Sequence, residues 1–476
     1  MKKIIIIGGG IAGLSAGITA QKMGYATEII EKTKTAGGNL CGWERNGFHI
    51  DNCLHWLTGT HERSELYSLW REYGALTNGI VQLPFLYKST DGENEVTFHF
   101  DTYRAEAEFA RLSPRDEAKI HAFFDAVRVS MRMQLGAASP FDRIKNAKNT
   151  LIYGKENLFS FASRFRHPLL RHAFTDYIGG EFSCLALIYA YAAFASGNGA
   201  LPRGGSQKMA ESIISTYESL GGKLTLGVEA ERILTKNGHA VGVRLANGEI
   251  KEGDAFLAAC DPAVTFAKLL TDTPIPKSLL SMYRRRHAFL IFSSFHAAFA
   301  VDSPSLPFLC STVTSVPPFI SDGRKISRLF FREFSHEPTF SPSGKQIVQT
   351  MFFVHEPECR RWLSLARNEE AYEKEKQALA EVLLRGFVSA FPSLSGKVTL
   401  LDAWTPATYH RYFGGFYGAY LGFGATGKAL PLAASPRVDG IKNLLLATQW
   451  LQPPGGLPTA AMQGRRAAEM LPRILR

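Results

Sequence analysis

The chain has 476 residues, 45% of them hydrophobic and 20% charged, with a formal net charge of +11. Those values exclude a disordered polymer and exceed what one ordinary core accommodates, so two or three interleaved domains are expected. The positive balance suits an anionic partner, whether nucleic acid, a membrane surface or a phosphorylated cofactor, or equally a mildly basic enzyme. No nucleic-acid motif is visible, and no such partner is expected.

Ile4–Ile7 is an unbroken β-branched run, the composition of a strand buried on both faces. It runs directly into Gly8-Gly9-Gly10-Ile11-Ala12-Gly13, a G-x-G-x-x-G, and a helical pattern follows from Leu14. A second strand, Ala26–Ile30, ends in Glu31. Strand, glycines, helix, strand and acid in that order form a dinucleotide-binding fingerprint. Gly8 permits the tight turn, Gly10 lets backbone amides approach a pyrophosphate, and Gly13 lets the helix pack on the strand. The helix start at Ile11 and Ala12 offers unpaired N–H groups and a positive dipole end to that anion. Glu31 accepts bonds from ribose hydroxyls and would repel a 2′-phosphate, so FAD or NAD fits better than NADP. The bland alternative is a glycine-rich turn beside a solvated glutamate.

A second glycine pair, Gly37-Gly38, follows with Asn39 and Leu40, and Gly47–Thr60 reads GFHIDNCLHWLTGT, with His55 and Trp56 inside it. Ser64–Tyr73 has a helical pattern and Glu93–Phe100 alternates as a strand does. Ser113 and Pro114 read as cap and first turn of a helix through Ala118–Met133. Between Lys155 and Tyr177, aromatic residues interleave with Arg164, Arg166 and Arg171. That mixture suits an anionic lipid surface, or an amphipathic helix with a solvated basic face. Cys184–Ala195 is apolar but shorter than the roughly 18–20 residues of a membrane span, so it is expected as a buried helix or a cavity wall.

Gln207–Leu220 reads as a helix, and Lys223–Leu226, Val228–Leu234 and Ala240–Leu245 as strands with a hairpin turn at Asn237-Gly238. Ile291–Val301, Lys325–Phe334 and Gln346–His355 suggest an antiparallel sheet, and Glu370–Phe391 a long helix. Ala403–Gly427, dense in glycine and aromatics, reads as a rigid loop packed on itself or as an apolar wall. Asn443–Ala447 is a buried-strand pattern before Gln449, then Pro454-Gly455-Gly456-Leu457-Pro458-Thr459 and a last helix. The six cysteines are scattered without metal-ligand spacing, which points to a reduced, cytoplasmic chain with no metal site. Lys2-Lys3 before an apolar run imitates a signal peptide, but the complete strand–helix–strand unit argues against cleavage.

Taken together, the Gly37-Gly38 pair after Glu31, the GFHIDNCLHWLTGT stretch and the PGG-x-P before the last helix resemble one family. It is the phytoene desaturase-like branch of the FAD-dependent amine oxidase superfamily, which includes carotenoid isomerases and retinol saturases. Cys53 stands where the family's stretch has its middle glycine. The resemblance implies tight, non-covalent FAD. It places Lys32, Gly37, Gly38, Asn39 and Leu40 along the cofactor, His55 and Trp56 beside the flavin ring, and Ala230 on the adenine through its backbone. Gln449 falls near the ribityl chain, and Gly456, Leu457 and Thr459 form the helix start that faces the flavin pyrimidine.

The implied fold class is α/β, a Rossmann-type FAD-binding domain with an interleaved α+β substrate domain of antiparallel sheet and helices. The FAD-binding domain comprises residues 1–75, 201–270 and 425–476, and the substrate domain residues 76–200 and 271–424. The implied chemistry is hydride exchange between flavin N5 and a carbon of a long apolar, polyene or isoprenoid-like substrate. His55, Glu181 and Tyr417 are the candidates for handling the proton. Desaturation, saturation and isomerisation all satisfy that logic. The alternatives are a superfamily enzyme acting on an amine, a porphyrinogen or a small polar metabolite, and a non-catalytic binder in the manner of Rab GDP-dissociation inhibitors. Expected partners are a lipophilic small molecule, an external electron donor or acceptor, and peripheral contact with the cytoplasmic face of a membrane.

Overall fold

The computed structural model describes residues 1–321, 323–429 and 433–476. Two sheets organise it. The first has six strands in the spatial order Lys223–Leu226, Ala26–Glu31, Lys3–Ile7, Ala255–Ala258, Ile441–Leu446 and Arg437–Val438. The first five run parallel, with Ile4 between Thr27 and Ala255 and Phe256 opposite Leu444; only the last edge strand is antiparallel. The isoleucine run is central because both of its faces are covered. Ile4 and Ile6 pack with side chains of the helices Ile11–Lys22, Gly205–Ser219 and Leu457–Glu469. Ile5 and Ile7 pack against Ile233 and Val243 of a three-stranded antiparallel sheet spanning residues 230–252.

The second sheet has seven strands, in the order Val398–Trp404, Phe292–Val301, Gln346–His355, Arg324–Glu333, Ser311–Ser321, Phe85–Thr90 and Glu95–His99. Neighbours are antiparallel except Ser311–Ser321 with Phe85–Thr90, a parallel pair that joins distant parts of the chain. Three of these strands fall within a residue of their sequence-based limits. Ser311–Ser321 was not expected: Pro317-Pro318 interrupts the alternation, and the pairing slips between Ser315 and Phe319.

Two further expectations need correction. Pro406–Phe413 is a helix, not a loop; the Thr405 hydroxyl accepts from the Ala407 N–H at its start and Gly414, at φ +71°, ends it. Ser113 does not cap the helix after it. Its hydroxyl donates to Asp116 (2.8 Å), and a 3₁₀ turn, Pro114–Asp116, precedes the helix Glu117–Gln134. All six cysteines are free thiols, and among the described residues no side-chain group could hold a metal and no helix is long and apolar enough to cross a membrane.

Candidate active site

A cavity of about 2010 Å³ runs from the carboxyl ends of the parallel strands, at Ile7, Glu31 and Ala259, to Phe292, His296, Met351 and Phe353 on the seven-stranded sheet. That is about twice the ~1,000 Å³ upper end of ordinary ligand pockets, room for two ligands in line. The carboxyl ends of parallel strands are where open α/β sheets bind nucleotides.

At this end the wall is main chain. Gly8 takes φ +104°, and its N–H donates to Ile30 O (2.8 Å). A Cβ on Gly13 would lie 2.0 Å from Gly8 O, so helix and strand meet there because residue 13 has no side chain. Gly13 itself does not line the cavity. A Cβ on Gly10 would meet only Gly38 Cα, at 3.9 Å, so the space in front of Gly10 is open. No side chain caps the helix Ile11–Lys22, and Ile11 and Ala12 line the cavity at its start. The helix Leu457–Glu469 begins in the same way at Gly456, at φ +111°, with Leu457 and Thr459 in the wall. Two uncapped N-termini therefore face one cavity, the arrangement that favours an anionic ligand. They are held together by close packing: a Cβ on Gly464 would lie 2.1 Å from Ala12 O, and Ser15 Oγ donates to Ala461 O at 2.6 Å.

The side chains around them are ordered by this backbone. Glu31 is buried at its strand end, where Oε2 accepts from Gly9 N (2.8 Å) and Oε1 from Thr33 N (2.9 Å) and Thr33 Oγ1 (2.8 Å). Gly37, at φ +121°, donates its N–H to Gly9 O (2.8 Å) and so lays the second glycine loop against the first. Lys32 Nζ donates to Arg411 O (2.9 Å), and burial pushes its pKa below the usual lysine value. Asn39 Nδ2 donates to Tyr420 O, while its Oδ1 is buried without a partner. Gln449 bridges the two parts of the wall: Oε1 accepts from Gly456 N (2.6 Å) and Nε2 donates to Tyr420 O (3.1 Å). Leu40, Trp56 and Ala230 also line the cavity. The residues present fit FAD, with open space at Gly10, anion-binding helix starts, an acid at the second strand and an unsatisfied acceptor at Asn39.

The other end is built of rings. Phe182, Phe353 and Tyr420 each contact Phe292 edge-on at 5.1–6.0 Å, and Tyr420 lies 5.2 Å from Tyr409. His55 stacks on Phe330 (5.3 Å, 22°), and Trp56 on Tyr177 (5.8 Å, 30°). Ala186, Tyr189 and Ala190 of the helix Cys184–Ala195 complete this lobe. Two histidines enter it. The His55 side chain makes no hydrogen bond among the described residues; burial first, then Arg332 and His296, hold its pKa well below the ordinary value. His296 stacks on Trp404 (4.7 Å, 10°), and burial lowers its pKa to about 3. Its Nε2 lies 2.5 Å from Ser294 Oγ and 3.1 Å from the Tyr409 hydroxyl. Tyr409 OH in turn donates to Asn52 Oδ1 (3.0 Å) and accepts from Trp404 Nε1 (3.1 Å). Both hydroxyls meet the same nitrogen of a neutral imidazole, which makes a buried polar cluster, and both His296 and Tyr409 line the cavity.

Of the three residues expected to handle a proton, only His55 reaches the cavity wall. Glu181 does not line it. Glu181 pairs with His355 (3.2 Å); burial alone would raise its pKa, and the His355 bond brings it below the ordinary value. Its neighbour Phe182 takes the cavity-facing position. Tyr417 is also outside the wall: at φ +53° it packs 4.2 Å from Phe416, with the Arg360 guanidinium 4.7 Å over its ring. His296 went unnoticed in the sequence. The available signal was Ser294 and His296 at i and i+2 in the run FSSFHAAFA, two polar residues on one face of an apolar strand.

Comparison with known proteins agrees with this geometry. The family model of flavin-containing amine oxidoreductases matches residues 11–471. The lycopene-forming phytoene desaturase of Pseudescherichia vulneris is 25% identical over 304 residues, which cover 60% of this chain and 61% of that one. The chain thus spans about three fifths of the length of that relative. The neurosporene-forming phytoene desaturase of Rhodobacter capsulatus is 22% identical over 516 residues, covering 99% and 94%. An oxidoreductase from Methanosarcina mazei superposes with a TM-score of 0.65 at 15% identity, over 98% of this chain and 100% of that one, a likeness of fold. Matched over nearly its whole length, and carrying the cradle its cofactor requires, the chain belongs to the flavin-containing amine oxidoreductase family, with FAD as its cofactor.

Proposed function

We propose that the protein is an FAD-dependent oxidoreductase acting on carbon–carbon bonds of a long apolar, conjugated or isoprenoid-like substrate. The observation that carries this reading is the ring-lined lobe. Among the described residues, the carboxylates lining the cavity are Glu31, Glu65, Glu229 and Asp261, and none joins the ring cluster. Glu31 is engaged by Gly9 and Thr33, Glu229 pairs with Lys268 at 2.7 Å, and Asp261 accepts from Phe416 N at 2.7 Å. An ammonium substrate would enter this lobe without a counter-ion, at a high desolvation cost. An apolar polyene enters it without one.

Bound FAD supplies two-electron exchange with a carbon of the substrate. The chain's own residues do the rest. The rings of Phe182, Phe292, Phe353 and Tyr420 exclude water and hold an extended apolar ligand. The Tyr409 hydroxyl, with His296 behind it and Asn52 beside it, delivers or accepts the accompanying proton. His55, neutral and with no hydrogen bond among the described residues, serves as packing surface. The relay works in either direction, so it serves saturation, desaturation or isomerisation.

The test is anaerobic flavin absorbance. Reduced holoenzyme is expected to reoxidise with a conjugated lipid faster than with a matched saturated lipid, and oxidised holoenzyme to stay yellow with simple amines. Indifference to conjugation together with bleaching by amines would replace this reading with amine oxidation.

A further inference from the structure

The helix Pro140–Tyr153 is built inside out. At about 100° per residue, Phe141, Ile144, Leu151 and Ile152 share one face within an arc of roughly 100°. That face points outward: the four side chains are 70%, 70%, 65% and 46% exposed. The inner face is polar instead. Asp142 and Tyr153 are buried, and Asn146 lines the cavity. A surface helix ordinarily turns its apolar stripe to the core. The charge on the outer side has one sign. Asp142, the helix's one acid, is held by the Ser139 cap and by Arg132 at 2.6 Å. Arg143 and Lys148 are exposed, while Lys145 pairs with Asp125 and lies 6.0 Å from the Phe141 ring centre.

The same helix is a wall of the cavity. Asn146 lines it together with Met133, Gln134 and Gly136 just upstream and Tyr189 on the facing helix, and Gln134 Nε2 donates to Tyr189 O at 3.0 Å. One face of this helix thus meets the lobe and the other is greasy and cationic.

We propose that the outer face docks on an anionic phospholipid bilayer. The four apolar side chains enter the acyl boundary and Arg143 and Lys148 meet headgroup phosphates. A lipophilic ligand then passes from the bilayer, past Asn146 and Tyr189, into the lobe. Docking stands on the helix alone; the ligand's route rests on the polyene reading above.

The test sediments the holoenzyme with vesicles of mixed phosphatidylglycerol and phosphatidylcholine, and with phosphatidylcholine alone. The native chain is expected to bind the mixed vesicles at least about tenfold more tightly. The double variant Ile144→Glu/Leu151→Glu is expected to lose at least about tenfold of that binding while keeping flavin occupancy and thermal midpoint, since both side chains are exposed. Lys148→Glu, a milder change on the same face, should weaken mixed-vesicle binding severalfold. No vesicle binding by the native chain, or equal binding by both variants, overturns the proposal. So does a native dimer that fails to bind vesicles and that the double variant splits, for then the face meets a second copy of the chain. In a parallel assay the double variant should turn over a detergent-dispersed polyene normally and a vesicle-borne one slowly. If vesicle binding behaves as expected and no polyene is turned over in either form, docking stands and the substrate reading falls.

Discussion

At the nucleotide end the cavity wall is peptide backbone, set by Gly8, Gly10, Gly13, Gly37 and Gly456; at the ring-lined end it is side chains carried on strands and helices. The first end has no slack. A Cβ on Gly13 or Gly37 would lie 2.0 or 2.8 Å from a backbone oxygen, so the shape there follows from covalent geometry. The second end is assembled from Phe, Tyr and His residues that could be exchanged for others of similar volume without moving the chain. The nucleotide end is therefore rigid, and the ring-lined end is where substitution is tolerated.

Five variants would break or sharpen that contrast. The largest effect is expected from Gly13→Ala, whose added Cβ would meet Gly8 O at 2.0 Å. Helix and strand must separate to admit it, at a cost above about 4 kcal/mol, so little soluble protein should be recovered and denaturant titration should show a destabilised remainder. Gly10→Val is the matched control on the ligand side of the same turn. Its Cβ meets only Gly38 Cα at 3.9 Å, so the chain should fold but purify without the yellow of bound flavin. It should also lose the stabilisation the ligand confers, about 4 kcal/mol at a thousandfold excess over Kd. Equal losses of fold in both variants would show that the two glycines do one job.

In the ring-lined lobe the effects should fall on rate, not on folding. Tyr409→Phe removes one hydroxyl from the relay and should lower turnover by about 10²-fold or more while flavin content stays full. His55→Ala, which breaks no hydrogen bond, should cost about tenfold or less; the reverse ranking in steady-state assays would move the relay to His55. The last, and per pH unit no larger than the His55 effect, is a pH slope. The folded-state pKa of His296, about 3, lies below its unfolded value near 6.5, so the unfolded chain binds the extra proton between those limits. Its contribution is complete above about pH 6.5 and lost as pH falls toward 3, at no more than ~1.4 kcal/mol per pH unit. His296→Gln should flatten that limb in denaturant midpoints measured across the range.

The contrast also explains what could be read in the sequence. Glycine spacing writes backbone geometry directly, so the turn at Gly8–Gly13, the acid at Glu31 and the helix start at Gly456 were legible before any coordinates. Strand and helix limits were legible wherever apolar periodicity was unbroken, and failed at Pro317-Pro318. The contact of His296 with Tyr409 was not legible, because the two are 113 residues apart and meet only through sheet and helix packing. Glu181 misled for the related reason that a side chain's direction is not written in its neighbours: Phe182 faces the cavity and Glu181 faces His355. The inverted stripe of Pro140–Tyr153 was present as a period, but a period does not say which face is inward.

The parallel sheet has a consequence for synthesis. Lys3–Ile7 leaves the ribosome about 250 residues ahead of its neighbour Ala255–Ala258, and the next strand, Ile441–Leu446, follows later still. At about 5–20 residues per second, the isoleucine run waits roughly 12–50 s for its second partner. Throughout that interval the isoleucine strand has one edge open, and the helix Leu457–Glu469 that buries its face does not yet exist. Until Ala255–Ala258 arrives that edge can pair with another chain, and the cofactor cradle is complete only once the helix Leu457–Glu469 has been made.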